Sequence, residues 1–295
     1  MISIVIPNLH SPILKRTLDS LEQQDYPGDF EVIVVGQDRY NQVRTTGRTV
    51  FLETPKPTPP AIARNLGART AKGNIIIFID ADCVAAPDWL SRYDKHFQDP
   101  SVGVVGGGVT FPSDAYWTLC DNVGTFYEYL SSSRAGTRQQ LPSLNLAIRR
   151  SIFDRVGYFD ERYPFPAGED ADLTTRFRMA GLTLHFDPKA QVTHLPQRRT
   201  ISSIFKHAYV FGQYSIKVDR RYMDFLHTPR VLRSWWMTLA FSPLLAAAVI
   251  VRILRNPHNW RFLHTIPIIY LSKIVWCFGA AKTLRRGYVL KADEE

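Results

Sequence analysis

The strongest constraint on the fold is the regular alternation of apolar, β-rich runs with helical stretches in the first half of the chain. This alternation is typical of βαβ units, which build a mainly parallel central sheet with helices on both faces. Ligands of such sheets bind beyond the carboxyl ends of the strands. The predicted elements are strands at 2–6, 31–35 and 75–79, and helices near 12–24 and 60–71.

The pattern continues as far as about residue 193, where we expect the globular unit to end. Gly106, Gly107 and Gly108 lie in a strand predicted at 102–111 and indicate a bulge or a close backbone approach. A glycine run without a following helix start favours packing over a phosphate loop. The remaining predicted elements are a helix at 116–130, a strand at 143–148 and a helix at 169–180 closed by Gly181.

Composition sets broad limits on compartment and partners. The chain has 295 residues, enough for one large domain and an appendage, and a net charge of +9. That charge suits nucleic acid, anionic lipid or phosphorylated substrates. Cys83, Cys120 and Cys277 lack CxxC spacing, which favours a reducing compartment over a zinc site or disulfide framework. The N-terminus reads as a strand and not as a leader, so we expect the α/β part in the cytosol.

The last third of the chain is basic, aromatic and apolar. Residues 199–222 predict a helix lying on an amphipathic surface, and apolar segments follow at 235–251 and 262–281. His264 and Lys273 are costly at mid-membrane. Spanning helices, in-plane interfacial helices and a buried helical subdomain all remain open. We expect membrane association, with an α/β domain at 1–198, an interfacial region at 199–229 and membrane-associated helices at 230–295.

Two carboxylates follow the most apolar predicted strand. Asp80 and Asp82 are two residues apart at its end, where both side chains would point into the ligand crevice. Hard oxygen ligands suit Mg²⁺ or Mn²⁺, and such an ion bridges two phosphates. The alternative is a solvated turn or a helix cap.

A second acidic group opens the predicted helix at 169–180. The helix dipole favours carboxylates at this end, which is a sufficient structural explanation for Glu169, Asp170 and Asp172. The dipole also keeps an acid deprotonated, as a general base for a hydroxyl requires. Glu169 and Asp170 are the better candidates for that role, because Asp172 is spaced to pair with Arg176.

Six short motifs, taken together, resemble family 2 glycosyltransferases of the GT-A fold. They are IVIP at 4–7, ARNLG at 63–67, FIDAD at 78–82, NLAIRR at 145–150, VGYFDE at 156–161 and GEDADL at 168–173. The similarity covers roughly residues 1–215. It implies a Rossmann-like GT-A domain, followed here by C-terminal apolar helices, and an inverting transfer from a nucleotide sugar.

The resemblance also implies roles for the acidic residues. Asp82 would be the principal ligand of Mn²⁺ or Mg²⁺, and Asp80 would contact the ribose or the metal. Asp170 would be the catalytic base, with Glu169 beside it. His194 is similar in position to histidines that help to hold metal or pyrophosphate in some members, although a structural histidine is an equal alternative.

Other positions matched by the resemblance would contact the substrates. Pro7 and Asn8 would line the nucleotide pocket, Arg64 would lie near the nucleotide, and Asn145 would face the donor sugar and acceptor. Family members commonly end the second strand in two acidic residues that hold the base. Here Gln37 and Asp38 stand near that position, so UDP is only the default donor nucleotide.

We therefore expect transfer of a single sugar to a hydroxyl of a lipid-linked or cell-envelope glycan, at the cytoplasmic face of a membrane. The Gln-x-x-Arg-Trp signature of processive synthases is missing. A polyprenyl-phosphate acceptor is an alternative, but it needs no base and leaves the acidic dyad unexplained. Nucleic-acid binding lacks a motif, so no nucleic-acid partner is expected. A non-catalytic scaffold would not need both acidic motifs.

Overall fold

The structure is a computed structural model that describes residues 1–45, 47–112 and 115–287. The described residues form two compact units. The first unit contains the described residues of Met1–Thr110, Tyr129–Pro164 and Glu169–Leu195. The second contains those of Phe111–Glu128, Phe165–Gly168 and Pro196–Glu295.

A mixed β-sheet is the centre of the first unit. Its strands within the described residues are β1 (Ile2–Leu9), β2 (Phe30–Gln37), β3 (Thr49–Glu53), β4 (Ile75–Ile79), β5 (Cys83–Ala85), β6 (Val104–Thr110), β7 (Gly136–Thr137), β8 (Asn145–Arg149) and β9 (Leu184–His194). Their order is β3-β2-β1-β4-β8-β6-β9-β5, and β7 pairs with β9. The first four strands of that order are parallel. Strand β8 is antiparallel to both of its neighbours, whereas β6 and β9 are parallel.

Helices cover both faces of this sheet. They are α1 (Leu14–Glu22), α2 (Pro60–Thr70), α3 (Trp89–Phe97), α5 (Ser151–Val156) and α6 (Glu169–Met179). Successive residues of β1, β2 and β4 are buried, as in sheets that pack against helices on each side. Phe78 of β4 packs in one cluster with Ala63 of α2 and with Leu173 and Phe177 of α6. The predicted α/β architecture with a central sheet is confirmed, although the sheet is parallel over only part of its width.

Local sequence signals explain where the helices that flank the site begin and end. Helix α2 starts at Pro60, whose fixed φ suits the first helical position. The first turn of α6 is acidic, and the chain leaves the helix through Gly181 at φ +82°. Both helices match their predicted positions to within a residue or two.

The three glycines of β6 permit close packing. A Cβ on Gly107 would meet the carbonyl oxygen of Ala190 and the side chain of Asn145, and one on Gly108 would meet the backbone of Pro188. The register of β6 against β9 also shifts between Gly107 and Gly108. The predicted bulge and close approach are both confirmed.

The second unit is helical. Its elements are α4 (Tyr116–Phe126), α7 (Ile201–Arg221), α8 (Trp235–Ala240), α9 (Ser242–Leu254), α10 (Ile266–Arg285) and 3₁₀ helices at Arg230–Leu232 and Pro257–Thr265. Helix α7 begins with a capping box formed by Thr200 and Ser203. Helices α7 and α10 approach each other closely at two glycines. A Cβ on Gly212 would meet the carbonyl of Trp276, and a Cβ on Gly279 would meet the carbonyl of Tyr209.

Apolar helices near the C-terminus are confirmed. Among the described residues one helix, Pro257–Arg285, is long and apolar enough to cross a membrane by length and composition. Ser242–Leu254 is apolar but shorter. Trp236 and Trp260 are 55% and 58% exposed, so large aromatic side chains remain on the surface of this unit.

A buried ion pair joins α4 to α7 in the second unit. Asp121 accepts a hydrogen bond of 2.5 Å from Nε of Arg198 and lies 2.8 Å from Nδ1 of His207. Burial alone would raise the pKa of Asp121, but His207 and Arg198 outweigh it and hold that pKa well below the usual range. This carboxylate is therefore ionised in the folded unit.

Candidate active site

The turn between β4 and β5 carries Asp80 and Asp82. The carbonyl of Asp80 accepts a hydrogen bond of 3.0 Å from the backbone of Cys83, and the carbonyl of Asp82 accepts one of 2.8 Å from Leu195. Ser11, which follows β1, donates its hydroxyl to the carbonyl of Ala81 at 2.8 Å. The turn is therefore fixed by backbone contacts, and both carboxylates remain about one-third exposed.

His194 lies beside Asp82. Cys83 pairs with His194 across β5 and β9, which brings Nε2 of the histidine to 3.6 Å from Oδ2 of Asp82. Ligand atoms of Asp82, Cys83 and His194 all lie within 4.8 Å of one another. Burial, then Asp82 and Asp80, raises the pKa of Cys83, which favours the thiol over a thiolate. Without a thiolate, this group offers a carboxylate oxygen and an imidazole nitrogen. These ligands suit Mn²⁺ or Mg²⁺ better than they suit a metal that prefers soft sulfur ligands.

Arg64 connects the two acidic motifs. Its Nη2 donates to Oδ1 of Asp80 at 2.8 Å, and its Nη1 donates to Oε1 of Glu169 at 2.8 Å. Arg64 and Glu169 are each 2% exposed. Arg64 is therefore a buried cation that holds one carboxylate from each motif, and its predicted place near the nucleotide stays a prediction.

Burial dominates the electrostatics of Glu169. Burial first, then the charge of Asp170, raises the pKa of Glu169 to about 8, while Arg64 acts in the opposite direction. Among the described residues, Oε2 of Glu169 has no hydrogen-bond partner. Burial therefore opposes the deprotonation that the helix dipole favours at this end of α6.

Asp170 is held by backbone donors. Its Oδ1 accepts from its neighbour Ala171 at 2.8 Å and its Oδ2 accepts from Ser143 at 3.2 Å. Burial raises the pKa of Asp170, opposed by Arg64 and by these two amides. The third acid of the motif, Asp172, pairs with Arg176 at 2.8 Å as predicted.

Asn145 is held by contacts within the protein, and its place beside the donor sugar and acceptor stays a prediction. It is fully buried, and its Oδ1 accepts from Trp89 at 2.9 Å and from Tyr93 at 2.7 Å. Its Nδ2 donates to the carbonyls of Gly108 and Ala190 at 3.0 and 2.9 Å. Both ends of the amide are thus engaged by the protein, and the side chain braces β8 against its neighbours.

Pro7 and Asn8 lie at the end of β1, beside Val35 and Gly36 of β2. The side chain of Asn8 is 3% exposed and donates to the carbonyl of Gln37 at 2.8 Å. It therefore fixes the ends of two adjacent strands at the edge where ligands of such sheets bind.

Asp38 organises the loop after β2. Its Oδ2 accepts from the backbones of Gln42 and Val43 at 2.6 and 2.8 Å, and its Oδ1 accepts from that of Tyr40 at 3.2 Å. The carboxylate is used within the loop, as is common for aspartate in turns.

Three features of this region are not predicted from the sequence. They are the bridging position of Arg64, the contact of Ser11 with the Asp80–Asp82 turn, and the bonds from Trp89 and Tyr93 to an amide. Of these, only the spacing of Trp89 and Tyr93, four apart on one helix, was visible as a pattern.

Comparison with known proteins identifies the family. The model described as "Glycosyltransferase like family 2" matches residues 1–209. The chain belongs to glycosyltransferase-like family 2. It is 24% identical over 310 residues to glycosyltransferase AglE of Haloferax volcanii, covering 100% of this chain and 98% of the relative. It is 32% identical over 172 residues to the pre-mycofactocin glycosyltransferase of Mycobacterium tuberculosis, covering 55% of this chain and 35% of that protein.

The fold agrees with the family. The mannosyltransferase PcManGT from Pyrobaculum calidifontis, solved with GDP-Man and Mn²⁺, matches with a TM-score of 0.63 and 21% identity over 100% of this chain and 88% of that one. GalNAc-T7, solved with UDP, GalNAc and Mn²⁺, matches 66% of this chain and 43% of its own with a TM-score of 0.53 and 16% identity. The family 2 enzyme therefore has the GT-A fold, and it is a glycosyltransferase.

Proposed function

We propose that this glycosyltransferase transfers a single sugar, with inversion, from a nucleoside diphosphate sugar to a hydroxyl of a lipid-linked or cell-envelope glycan. The reaction depends on Mn²⁺ or Mg²⁺. The observation that carries the proposal is the buried Arg64, which ties Asp80 to Glu169 and so keeps the two acidic motifs in one site.

Asp82 and His194 serve the leaving group, with Asp80 beside them. Their oxygen and nitrogen ligand atoms fit a hard or borderline divalent ion, as described above. Such an ion, when bound, neutralises charge that develops on the departing diphosphate. Asp80 is restrained by Arg64 at 2.8 Å, so it turns one oxygen to the guanidinium and leaves the other for the ribose or the metal.

Asp170 serves the incoming hydroxyl as the general base. Two backbone amides orient its carboxylate, and burial makes it more basic than an exposed aspartate. A base whose pKa lies closer to the working pH removes a hydroxyl proton more effectively. Glu169, with its pKa raised to about 8, positions Arg64 and carries a proton for part of the time.

Pro7, Asn8 and the loop held by Asp38 form the nucleotide side of the site. UDP remains the default nucleotide, although GDP-Man is the donor bound to the Pyrobaculum structure. The apolar helices and exposed tryptophans of the second unit support contact with a membrane, and we place the enzyme at its cytoplasmic face.

Thermal unfolding with a panel of nucleotide sugars tests the donor part of the proposal. A ligand at about 100 times its Kd stabilises the folded state by about 2.7 kcal/mol. We expect one UDP or GDP sugar to raise the Tm in the presence of Mn²⁺ and to lose that effect with excess chelator. Asp82→Asn should abolish the effect and Asp88→Asn, at a half-exposed position before α3, should retain it. No shift with any nucleotide sugar would contradict the proposal.

Acceptor assays test the other half. With the stabilising donor, a hydroxyl-bearing glycolipid should accept the sugar and a polyprenyl phosphate should not. A phosphate acceptor is already ionised and needs no base, so efficient transfer to it, unaffected by Asp170→Asn, would replace this proposal with the alternative.

A further inference from the structure

A cavity of about 510 Å³ opens between α7, α8 and α10 of the second unit. Its walls are apolar and aromatic: Leu239, Phe278 and Ala281 line it together with the rings of Tyr209 and Trp235. The volume is in the range of small-molecule sites in proteins. None of these residues belongs to the site that holds the two acidic motifs.

Three cations line the same cavity. Lys282, Arg285 and Arg286 lie on adjoining positions of the last turn of α10 and just after it. The Lys282 ammonium is 5.4 Å from the ring centre of Tyr209, and the Arg285 guanidinium is 5.5 Å from that of Trp235. Within residues 1–45, 47–112 and 115–287, none of the three forms a salt bridge, so each can bind an anion.

The helix dipole alone does not explain why these cations lie beside an apolar cavity. Cations at a helix C-terminus are stabilised by the dipole, which accounts for basic residues in the last turn of α10. The dipole does not account for a cavity with apolar walls directly beside them. A small inorganic anion would leave those walls without a partner, and a neutral hydrocarbon would leave the cations without an anionic partner. Only an anion attached to an apolar group satisfies both.

The surroundings of the cavity favour a lipid as that amphiphile. Residues 196–287 contain fifteen Lys and Arg, and their acidic residues are Asp219 and Asp224. Trp236, Leu244 and Leu263 are 55%, 65% and 54% exposed on the same unit. Positive charge interspersed with exposed tryptophan and leucine is typical of surfaces that lie at an anionic membrane.

We propose that this cavity binds the phosphate headgroup of an anionic phospholipid. Lys282, Arg285 and Arg286 contact the phosphate, and the first carbons of the acyl chains lie against Phe278 and Leu239. The site anchors the second unit at a specific depth in the headgroup layer. It is independent of which donor and acceptor the catalytic site uses.

Vesicle co-sedimentation with the full-length chain tests the headgroup contact. Phosphatidylcholine vesicles with about one-fifth phosphatidylglycerol should bind the protein, and vesicles of phosphatidylcholine alone should bind it weakly. Each cation near an anionic surface contributes roughly a fivefold change in affinity, so Lys282→Gln with Arg285→Gln should weaken binding about 25-fold or more. Arg255→Gln with Arg261→Gln, at two exposed positions of the same unit, is the matched control and should weaken binding several-fold less than the cavity pair does.

A second pair of variants tests the cavity without altering charge. Leu239→Trp fills it and should lower affinity for the anionic vesicles about tenfold, a change comparable to the loss of one or two charged contacts. Leu263→Trp, outside the cavity and already exposed, should bind as well as the wild type or better. Equal losses in the two double variants, together with unchanged binding by Leu239→Trp, would show diffuse attraction and overturn the proposal.

A thermal-unfolding experiment distinguishes a lipid headgroup from free phosphate. Dihexanoyl phosphatidylglycerol below its micelle concentration should raise the Tm of the wild type but not that of Leu239→Trp. Inorganic phosphate at the same concentration should give a much smaller shift. An equal shift with inorganic phosphate would make this a free-phosphate site and contradict the proposal. Nucleotide-sugar binding by each variant reports separately on the catalytic site.

Discussion

Arg64 shows how one buried side chain can organise two motifs. Its two terminal nitrogens each hold a carboxylate, and the contact with Glu169 joins positions 105 residues apart. The guanidinium fork suits this arrangement because its donors diverge in a fixed plane. Sequence patterns predicted each acidic motif from its local context, but a contact across such a separation leaves no local signal. The site was therefore predictable in its parts and not in their connection.

The buried pair predicts a pH-dependent cost for losing Arg64. Arg64→Met should destabilise the fold by about 3–5 kcal/mol at alkaline pH, where an ionised Glu169 is left buried without its cation. The pKa of Glu169 is already raised by burial, to about 8, and it would rise further without Arg64. A carboxyl group whose pKa is raised in the folded state contributes its full stability below the unfolded pKa of about 4.5. That contribution is lost as pH rises through the folded pKa.

Urea unfolding at about pH 5 and about pH 8.5 measures this effect. The loss in Arg64→Met should be larger at the higher pH. Arg69→Met, at an exposed position on the same helix, serves as the control and should change stability by less than about 1 kcal/mol. Identical losses at both pH values would show that Glu169 does not respond to Arg64.

Asp170 carries a separate prediction for turnover. Asp170→Asn keeps the shape of the side chain and removes the base, so kcat should fall by about 10²–10⁴ while donor binding is retained. Single-turnover transfer and nucleotide-sugar thermal shifts measure the two quantities. Unchanged turnover would exclude Asp170 as the base. Asp154→Asn, at an exposed position of α5, is the control for removal of one acidic group.

At the scale of elements, glycine is required where two helices or strands approach each other too closely to leave room for a Cβ. Gly212 and Gly279 let α7 and α10 come together, and Gly106 to Gly108 let β6 lie against its neighbours. The glycine run in β6 was recognisable from the sequence because glycine is unfavourable within a strand unless packing requires it. Single helical glycines give a weaker signal, which explains why Gly212 and Gly279 were not anticipated.

Alanine substitution of helical glycines should have opposite effects at two positions. Gly279→Ala should destabilise by about 1–3 kcal/mol, since its Cβ would meet the carbonyl of Tyr209. Gly124→Ala in α4 is the matched control, because its Cβ would make only ordinary contact with Ile269. That substitution should stabilise by up to about 1 kcal/mol through helix propensity. Thermal unfolding of both variants provides the comparison, and a stabilised Gly279→Ala would rule out the close crossing.

The ion pair of α4 and α7 predicts acid sensitivity. Because the pKa of Asp121 is depressed in the folded state, its contribution is complete above the unfolded pKa and is lost as pH falls. Asp121→Asn should cost about 1.5–3 kcal/mol near pH 7, as expected for a hydrogen bond to a charged group. The difference from wild type should shrink below about pH 4. A difference that stays constant in urea unfolding down to about pH 2.5 would contradict this assignment.

At the scale of the whole molecule, the sequence predicted those strands whose successive residues are all buried. Strands β1, β2 and β4 read as uninterrupted apolar runs because helices cover both of their faces. Strands β3 and β5 were missed, since β3 is only partly buried and β5 has three residues. The antiparallel pairing of β8 with β4 and β6 joins residues far apart in the chain. The hydrophobic periodicity of a strand does not predict which strands it pairs with.

Net charge gives a prediction for the complete chain. A charge of +9 produces general attraction to polyanions, which weakens steeply with salt. At about 150 mM salt we expect tighter binding to vesicles rich in phosphatidylglycerol than to a single-stranded or double-stranded oligonucleotide, because lipid also buries the exposed tryptophans together with the exposed leucines. Fluorescence titration with each partner makes the comparison. Tighter oligonucleotide binding would favour the nucleic-acid alternative.

The burial of Cys83, Cys120 and Cys277 has a practical consequence. Maleimide reagents modify accessible thiolates, and burial disfavours that form at Cys83 and Cys120. A cysteine introduced at Leu244, which is 65% exposed, would therefore be labelled selectively without first removing the native ones. An environment-sensitive dye at that site would report contact with lipid in real time, on an otherwise unaltered enzyme.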